Sequence, residues 1–216
     1  TKSEHQPGAK VVRTFNKGLE TENIEEFDVV CKFDADIIFP ENYLEKINEV
    51  YEKNPKAGMV SGLVYVEKNG EWTFENLSSK NHVRGPIKSY RKELFLKMNG
   101  LRAVLGWDNI DVMLCKMHGF ETVTIKELWV KHLRPTAYKY KSQKAQKLGE
   151  YFYNIGLNFP LAAISSAKSS LKNKSISEFF ITMKSFLNQK NPRVLSQEEI
   201  AFIRNLRWKE IKRKLM

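Results

Sequence analysis

The sequence predicts an α/β body, a mixed sheet flanked by helices, followed by a helical extension. Three observations lead there. Strand-like and helix-like segments alternate up to about residue 138, no stretch repeats, and beyond that point every periodic segment reads as helix. At 216 residues and 42% hydrophobic content the chain is long enough for one good-sized core, alone or with an appendage.

Taken in order, "DVVCKF" (28–33) reads as a buried strand from its β-branched and aromatic run. "PENYLEKINEVYEKNP" (40–55) reads as a helix. Pro40 suits a first turn, acids come early, and Tyr43, Leu44, Ile47, Val50 and Tyr51 recur at helical spacing until Pro55. "AGMVSGLVYVEKNGEWTFEN" (57–76) predicts a hairpin about Asn69-Gly70, because both turn positions need a positive φ. "SYRKELFLKMNG" (89–100) predicts a short helix closed by Asn99-Gly100, and "DNIDVMLCKMHG" (108–119) a second, with Ile110, Met113, Leu114 and Met117 on one face and Gly119 as its stop. "ETVTIKELWVKH" (121–132) reads as one strand or two. The expected division is therefore a body over 1–138 and an extension over 139–216. The extension reads as four helices, over 143–156, 159–172, 176–189 and from 196 onward; the last opens with a Ser196/Glu199 capping box ahead of Ile200, Ile203, Leu206 and Trp208.

Charge separates the same two parts. The net charge is +11, yet residues 1–138 carry 20 Lys+Arg against 20 Asp+Glu, while 139–216 carry 16 against 5. A basic tail behind a neutral body points to an anionic partner for the tail, a membrane surface or nucleic acid, with a merely solvated helical face as the plain alternative. Cys31 and Cys115 both lie in apolar periodic segments, so a reducing, cytoplasmic compartment is expected and neither reads as a nucleophile. No signal peptide opens the chain. The longest apolar stretch, "YFYNIGLNFPLAAISSA", is interrupted by Asn154, Asn158 and Pro160 and is too short to span a bilayer.

The chemistry-bearing residues fall in three clusters. In "FDVVCKFDADIIFPENYLEKI" a strand delivers Asp34 and Asp36 and then continues apolar through Ile37–Phe39, which this reading returns to the core. Two carboxylates at a strand end can converge on a divalent cation, which prefers oxygen ligands. A calcium loop starting at Asp34 would close on Glu45 at position 12, but Ile38 stands at position 5, where a ligand belongs, and Phe39 at position 6, where the turn glycine belongs. In "GLRAVLGWDNIDVML", Asp108 serves as a helix N-cap and Asp111 favours the positive end of the helix dipole; the same carboxylate beside Trp107 could serve a sugar, the indole offering a flat face and Asp108 taking a hydroxyl proton. In "LWVKHLRPT", His132 and Arg134 follow a strand, and Arg134 could pair with phosphate.

The succession "PGAKVVRTFNKGL", "VVCKFDADIIFPENYL", "RGPIKSYRKELFLKMNGL", "LGWDNIDVML", "GFETVTIKELWVKHLRPT" resembles the family 2 glycosyltransferases of the GT-A fold, from about residue 7 to 136 and with the motifs in family order. "LGEYFYNIGLNFPL" in the tail is also similar to bacterial members. The resemblance implies a partial GT-A (Rossmann-like) sheet and transfer of a sugar, with inversion, from a UDP- or GDP-sugar to a carbohydrate or lipid-linked acceptor in surface polysaccharide or glycolipid synthesis. It implies Asp36 as metal ligand (Mn2+ or Mg2+) with Asp34 toward the metal or donor ribose, His132 on the metal or diphosphate, Arg134 on the phosphates, Asp108 as general base, and Trp107 and Asp111 toward the acceptor. Trp107 stands where many members have Glu. The match begins after the family's nucleotide-gripping strand–helix–strand unit, which implies the C-terminal part of a longer protein or a degenerate homologue. The rival reading is an inert module of this shape that binds an anionic membrane surface through its basic C-terminal helices, peripheral on the inner face. Nucleic-acid binding through "RWKEIKRK" ranks last, because the body holds no nucleic-acid module.

Overall fold

A computed structural model describes residues 8–134 and 143–215; the expected 138/139 boundary lies outside them. Two compact units form, one from 13–101 with 111–134 and the other from 8–12, 102–110 and 143–215. The fold is mixed α/β, with a mixed sheet, flanking helices and C-terminal helices, as the sequence predicts.

The sheet unit contains strands β1 (Val29–Phe33), β2 (Ile37–Ile38), β3 (Ala57–Lys68), β4 (Glu71–Phe74), β5 (Ile87–Arg91) and β6 (Glu121–His132), with helices α2 (Tyr43–Lys53) and α3 (Lys92–Lys97). Helix α1 (Ala9–Leu19) precedes β1, and α4 (Trp107–Met117) precedes β6. The order across the sheet is β1-β5-β3-β6-β2, with β4 also paired to β3. Among the described residues β3 and β6 run parallel and the other pairs are antiparallel.

Several elements form for local reasons. Asn69 and Gly70 both take positive φ, as a tight hairpin turn requires, and set the register Lys68↔Glu71. Asn99 and Gly100 do the same after α3, where Gly100 N–H donates to Phe95 C=O at 3.0 Å. Helix α2 starts at Tyr43 rather than at Pro40, whose carbonyl instead accepts from Tyr43 N–H at 3.0 Å. Its buried face is Tyr43, Ile47 and Tyr51, while Leu44 points to solvent.

Two segments depart from expectation. "IKSYR" is strand β5, not the start of a helix. Its backbone is paired on both edges, to β1 and β3, and its side chains hold the sheet to α2. Arg91 donates to Tyr51 C=O (2.7 Å) and Asn54 C=O (3.0 Å) at the end of α2 and to Ala57 C=O (2.9 Å) at the start of β3, tying the helix end to the sheet. "IIF" does not return to the core as a block, since Ile37–Ile38 make a two-residue edge strand on β6 and Ile38 is exposed. Residues 121–132 are a single strand, irregular in register against β3.

The core of this unit packs Tyr43, Ile47 and Tyr51 against Val60, Val64, Ile87, Leu128 and Val130. Burying each such side chain contributes roughly 1.5–3 kcal/mol. Strand β6 comes so close to β3 at Gly62 that a Cβ there would stand 2.5 Å from Leu128 C=O, and Gly62 N–H donates to the Tyr43 hydroxyl at 3.0 Å. Tyr43→Phe therefore strands a buried N–H, and a loss of about 1–3 kcal/mol in urea unfolding is expected.

The helical unit holds α5 (Lys144–Asn154), α6 (Phe159–Asn173), α7 (Ile176–Leu187) and α8 (Gln197–Leu215). Asn158 caps α6 by accepting from Leu161 N–H at 3.3 Å. The capping box forms reciprocally, Ser196 N–H to Glu199 at 2.7 Å and Glu199 N–H to Ser196 Oγ at 3.1 Å. Among the described residues no helix is long and apolar enough to cross a membrane.

Candidate active site

Strand β1 ends just before Asp34 and β2 begins just after Asp36, and the backbone ties the two aspartates to different partners. Asp34 N–H donates to Pro86 C=O at 2.9 Å, ahead of β5, whereas Asp36 C=O accepts from Leu133 N–H at 3.0 Å, beyond β6. Their side chains stay about one-third exposed (29% and 30%). Asp34 is paired with the buried ammonium of Lys32, which also donates to Gly85 C=O at 3.2 Å. The partner that offsets the charge of Asp34 is thus a lysine of the same strand, where the sequence suggested a shared metal.

Asp36 belongs to a second string. His132 ends β6 opposite Ile37, and register alone brings it beside the residue preceding β2. Its Nε2 lies 3.6 Å from Asp36 Oδ1, and its Nδ1, buried and without a hydrogen bond, lies 3.6 Å from Glu75 Oε2. Glu75 follows β4 and is clamped by Arg84, whose guanidinium donates to the carboxylate at 2.8 Å and to the Glu75 carbonyl at 3.1 Å. His132, Glu75 and Arg84 are all buried, so the string runs Arg84, Glu75, His132, Asp36 from interior to surface with acids and bases alternating. Such alternation lets charge survive burial.

Asp36 and His132, at the outer end of this string, are the residues that could hold a divalent cation. Among the described residues no three His, Cys, Asp or Glu side chains group to hold a metal by themselves. Mg2+-type cations, however, are commonly held by one or two protein groups plus substrate phosphates. Asp36 Oδ1 and His132 Nε2 face each other just beyond hydrogen-bond distance, and the buried Nδ1, unbonded at 3.6 Å from Glu75, would need only a small approach to donate to that carboxylate as a metal-ligating imidazole does. Asp34, held by Lys32, does not fit that set.

The remaining candidates separate. Asp111 is only 2% exposed; Lys88, itself fully buried, donates to its two carboxylate oxygens at 2.7 and 2.8 Å, and the Tyr90 hydroxyl donates at 2.7 Å. It is a core ion pair rather than an acceptor contact. Arg134 is exposed, two residues past His132. In the helical unit Trp107 is buried, so its indole offers no open face to a sugar. Asp108 is half-buried in the first turn of α4, which begins at Trp107, so it lies inside the helix rather than at its cap. Its charge, with that of Glu210, adds to the burial that raises the Tyr151 phenol to about 12, against the opposing effect of Arg207. Burial also pushes the thiols of Cys31 and Cys115 up, to about 11 and about 12, which leaves both poor nucleophiles.

Sequence reasoning missed Lys32, Glu75, Arg84 and Lys88. A signal existed for the lysines, because each interrupts a strand-like run and an ammonium there needs a partner. Nothing local marked Glu75 and Arg84 as a pair.

No model of a known protein family matches the sequence, and no curated protein matches it. Among solved structures the chain is similar to the mannosyltransferase PcManGT from Pyrobaculum calidifontis in complex with GDP-Man and Mn2+, at 15% identity and a TM-score of 0.47 over 94% of this chain and 54% of that one. It is also similar to S. aureus TarS 1–349, at 12% identity and a TM-score of 0.45 over 88% of this chain and 73% of that one. The chain spans about half the length of the first.

Proposed function

We propose that this chain acts in glycosyl transfer, moving a sugar with inversion from a UDP- or GDP-sugar to a hydroxyl of a carbohydrate or lipid-linked acceptor in surface polysaccharide or glycolipid synthesis. The observation that carries the reading is the Asp36–His132 pair, poised at 3.6 Å and backed by Glu75, at the position where the sequence resembles a metal-dependent transferase. Asp36 and His132 would hold Mn2+ or Mg2+, which when bound supplies Lewis-acid neutralisation of the leaving diphosphate. Arg134, exposed beside them, presents a planar fork of donors to the phosphates. Asp34, with Lys32 on it, takes the role toward the donor ribose. Asp108 removes the proton of the attacking hydroxyl, a role that rests on its match to the family's aspartate.

The test is a melting-temperature panel of UDP, GDP and CDP, each with and without Mn2+. Ligand near 100 times its Kd stabilises by about 2.7 kcal/mol, roughly 5–10 °C for a chain of this length. The shift is expected with one nucleotide, only with Mn2+, and absent in Asp36→Asn. An equal shift in that variant, or none with any nucleotide, would overturn the donor site.

A further inference from the structure

Helices α6 and α7 are sided the wrong way for a soluble surface. Their buried positions include Ser166, Ser170 and Thr182, while Ile164, Leu171, Ile176, Phe180 and Leu187 face outward. At the turn between the helices Leu171 and Ile176 are each 79% exposed, and Phe180 is 65% exposed. Both helices already dock through their other faces, with Leu161, Met183 and Phe186 buried, and Leu171, Ile176 and Phe180 stay largely outside that packing. An exposed apolar set of this kind, rimmed by polar residues, marks a contact site.

The charges around it select the partner. Lys168, Lys172, Lys174 and Lys184 are exposed on the same hairpin. The single acid between residues 159 and 190 is Glu178, whose carboxylate accepts from Asn173 at 2.7 Å. A second copy docked symmetrically on this face would bring like charges together. A nucleic acid would leave the aliphatic side chains unused. A bilayer bearing anionic headgroups satisfies both sets: the apolar residues enter the headgroup–acyl boundary while lysine stems follow them and keep their ammonium groups at the phosphates. Helix α8 is a poorer candidate than its sequence suggested, because Ile200 and Ile203 are spent in packing.

We propose that the α6–α7 hairpin is a membrane-contact surface that seats on anionic phospholipid. The inference stands whether or not the sugar-transfer reading does. The experiment is vesicle flotation of the whole chain with phosphatidylcholine alone and with phosphatidylcholine plus phosphatidylglycerol. Flotation is expected only with the anionic vesicles and is expected to weaken at about 0.5 M salt. The Lys168→Gln/Lys172→Gln/Lys184→Gln variant should lose roughly 100-fold in affinity, at about fivefold per lysine. Leu171→Gln/Ile176→Gln/Phe180→Gln should lose on the order of 10-fold or more. Both should melt within about 2 °C of the parent, being surface changes; should the apolar triple misfold, Leu171→Gln alone carries the test with a smaller loss. By comparison, Lys209→Gln/Lys212→Gln/Arg213→Gln should keep most of the binding. No flotation with anionic vesicles would overturn the proposal, as would flotation indifferent to both hairpin variants. A parent dimer dissolved by the apolar triple without vesicle binding would assign the face to a second copy instead.

Discussion

Lys88→Met is expected to cost about 3–5 kcal/mol of stability, because it leaves the Asp111 carboxylate charged in the core with one partner removed. The site is closed to solvent. Lys88 and Asp111 are 0% and 2% exposed, and the salt bridge ties β5 to α4. Tyr90 and the Val112 N–H still donate to Asp111 in the variant, yet neutral donors cannot offset the lost ammonium. The melting temperature should fall by roughly 6–20 °C. Lys88→Met/Asp111→Leu should recover most of the loss, since a well-packed apolar pair removes both desolvation costs. A single variant within about 1 kcal/mol of the parent would show that the pair is not buried as described.

Asp108→Asn is expected to lower kcat for transfer by roughly 10²–10⁴-fold while leaving the nucleotide-induced rise in melting temperature in place. Asparagine keeps the shape of the side chain but cannot accept the hydroxyl proton. The helix should tolerate it, because a first-turn carboxylate contributes only about 0.3–1 kcal/mol through the helix dipole. Asp36→Asn should do the opposite and abolish the nucleotide response. Transfer unchanged in Asp108→Asn would remove it as the base; loss of the nucleotide response would make it a donor contact.

The two variants probe parts of the protein that were unequally legible. Asp108, Asp36 and His132 stand out along the chain because each sits at the edge of a periodic segment, where a charged residue draws notice. Lys88 and Glu75 do not, since each acquires its meaning from a residue far away in sequence: Asp111 is 23 positions from Lys88, and Arg84 is 9 from Glu75. The misread "SYR" has the same origin. Its residues tolerate helix well enough, and only the pairing of Val29–Phe33 and Met59–Val60 on its two edges makes it strand.

The sequence by itself determined the features whose free energy is local. These are the Asn69-Gly70 hairpin, the Asn99-Gly100 helix stop, the Ser196/Glu199 capping box and the helical periodicity of the extension, each settled by φ preference or by a hydrogen bond within a few residues. Tertiary structure alone decided strand order, the pairing of Lys88 with Asp111, the approach of His132 to both Asp36 and Glu75, and which faces of α6 and α7 stay outside. Burial and charge pairing depend on what lies across the sheet or bundle, and the spacing of residues along one chain carries no record of that.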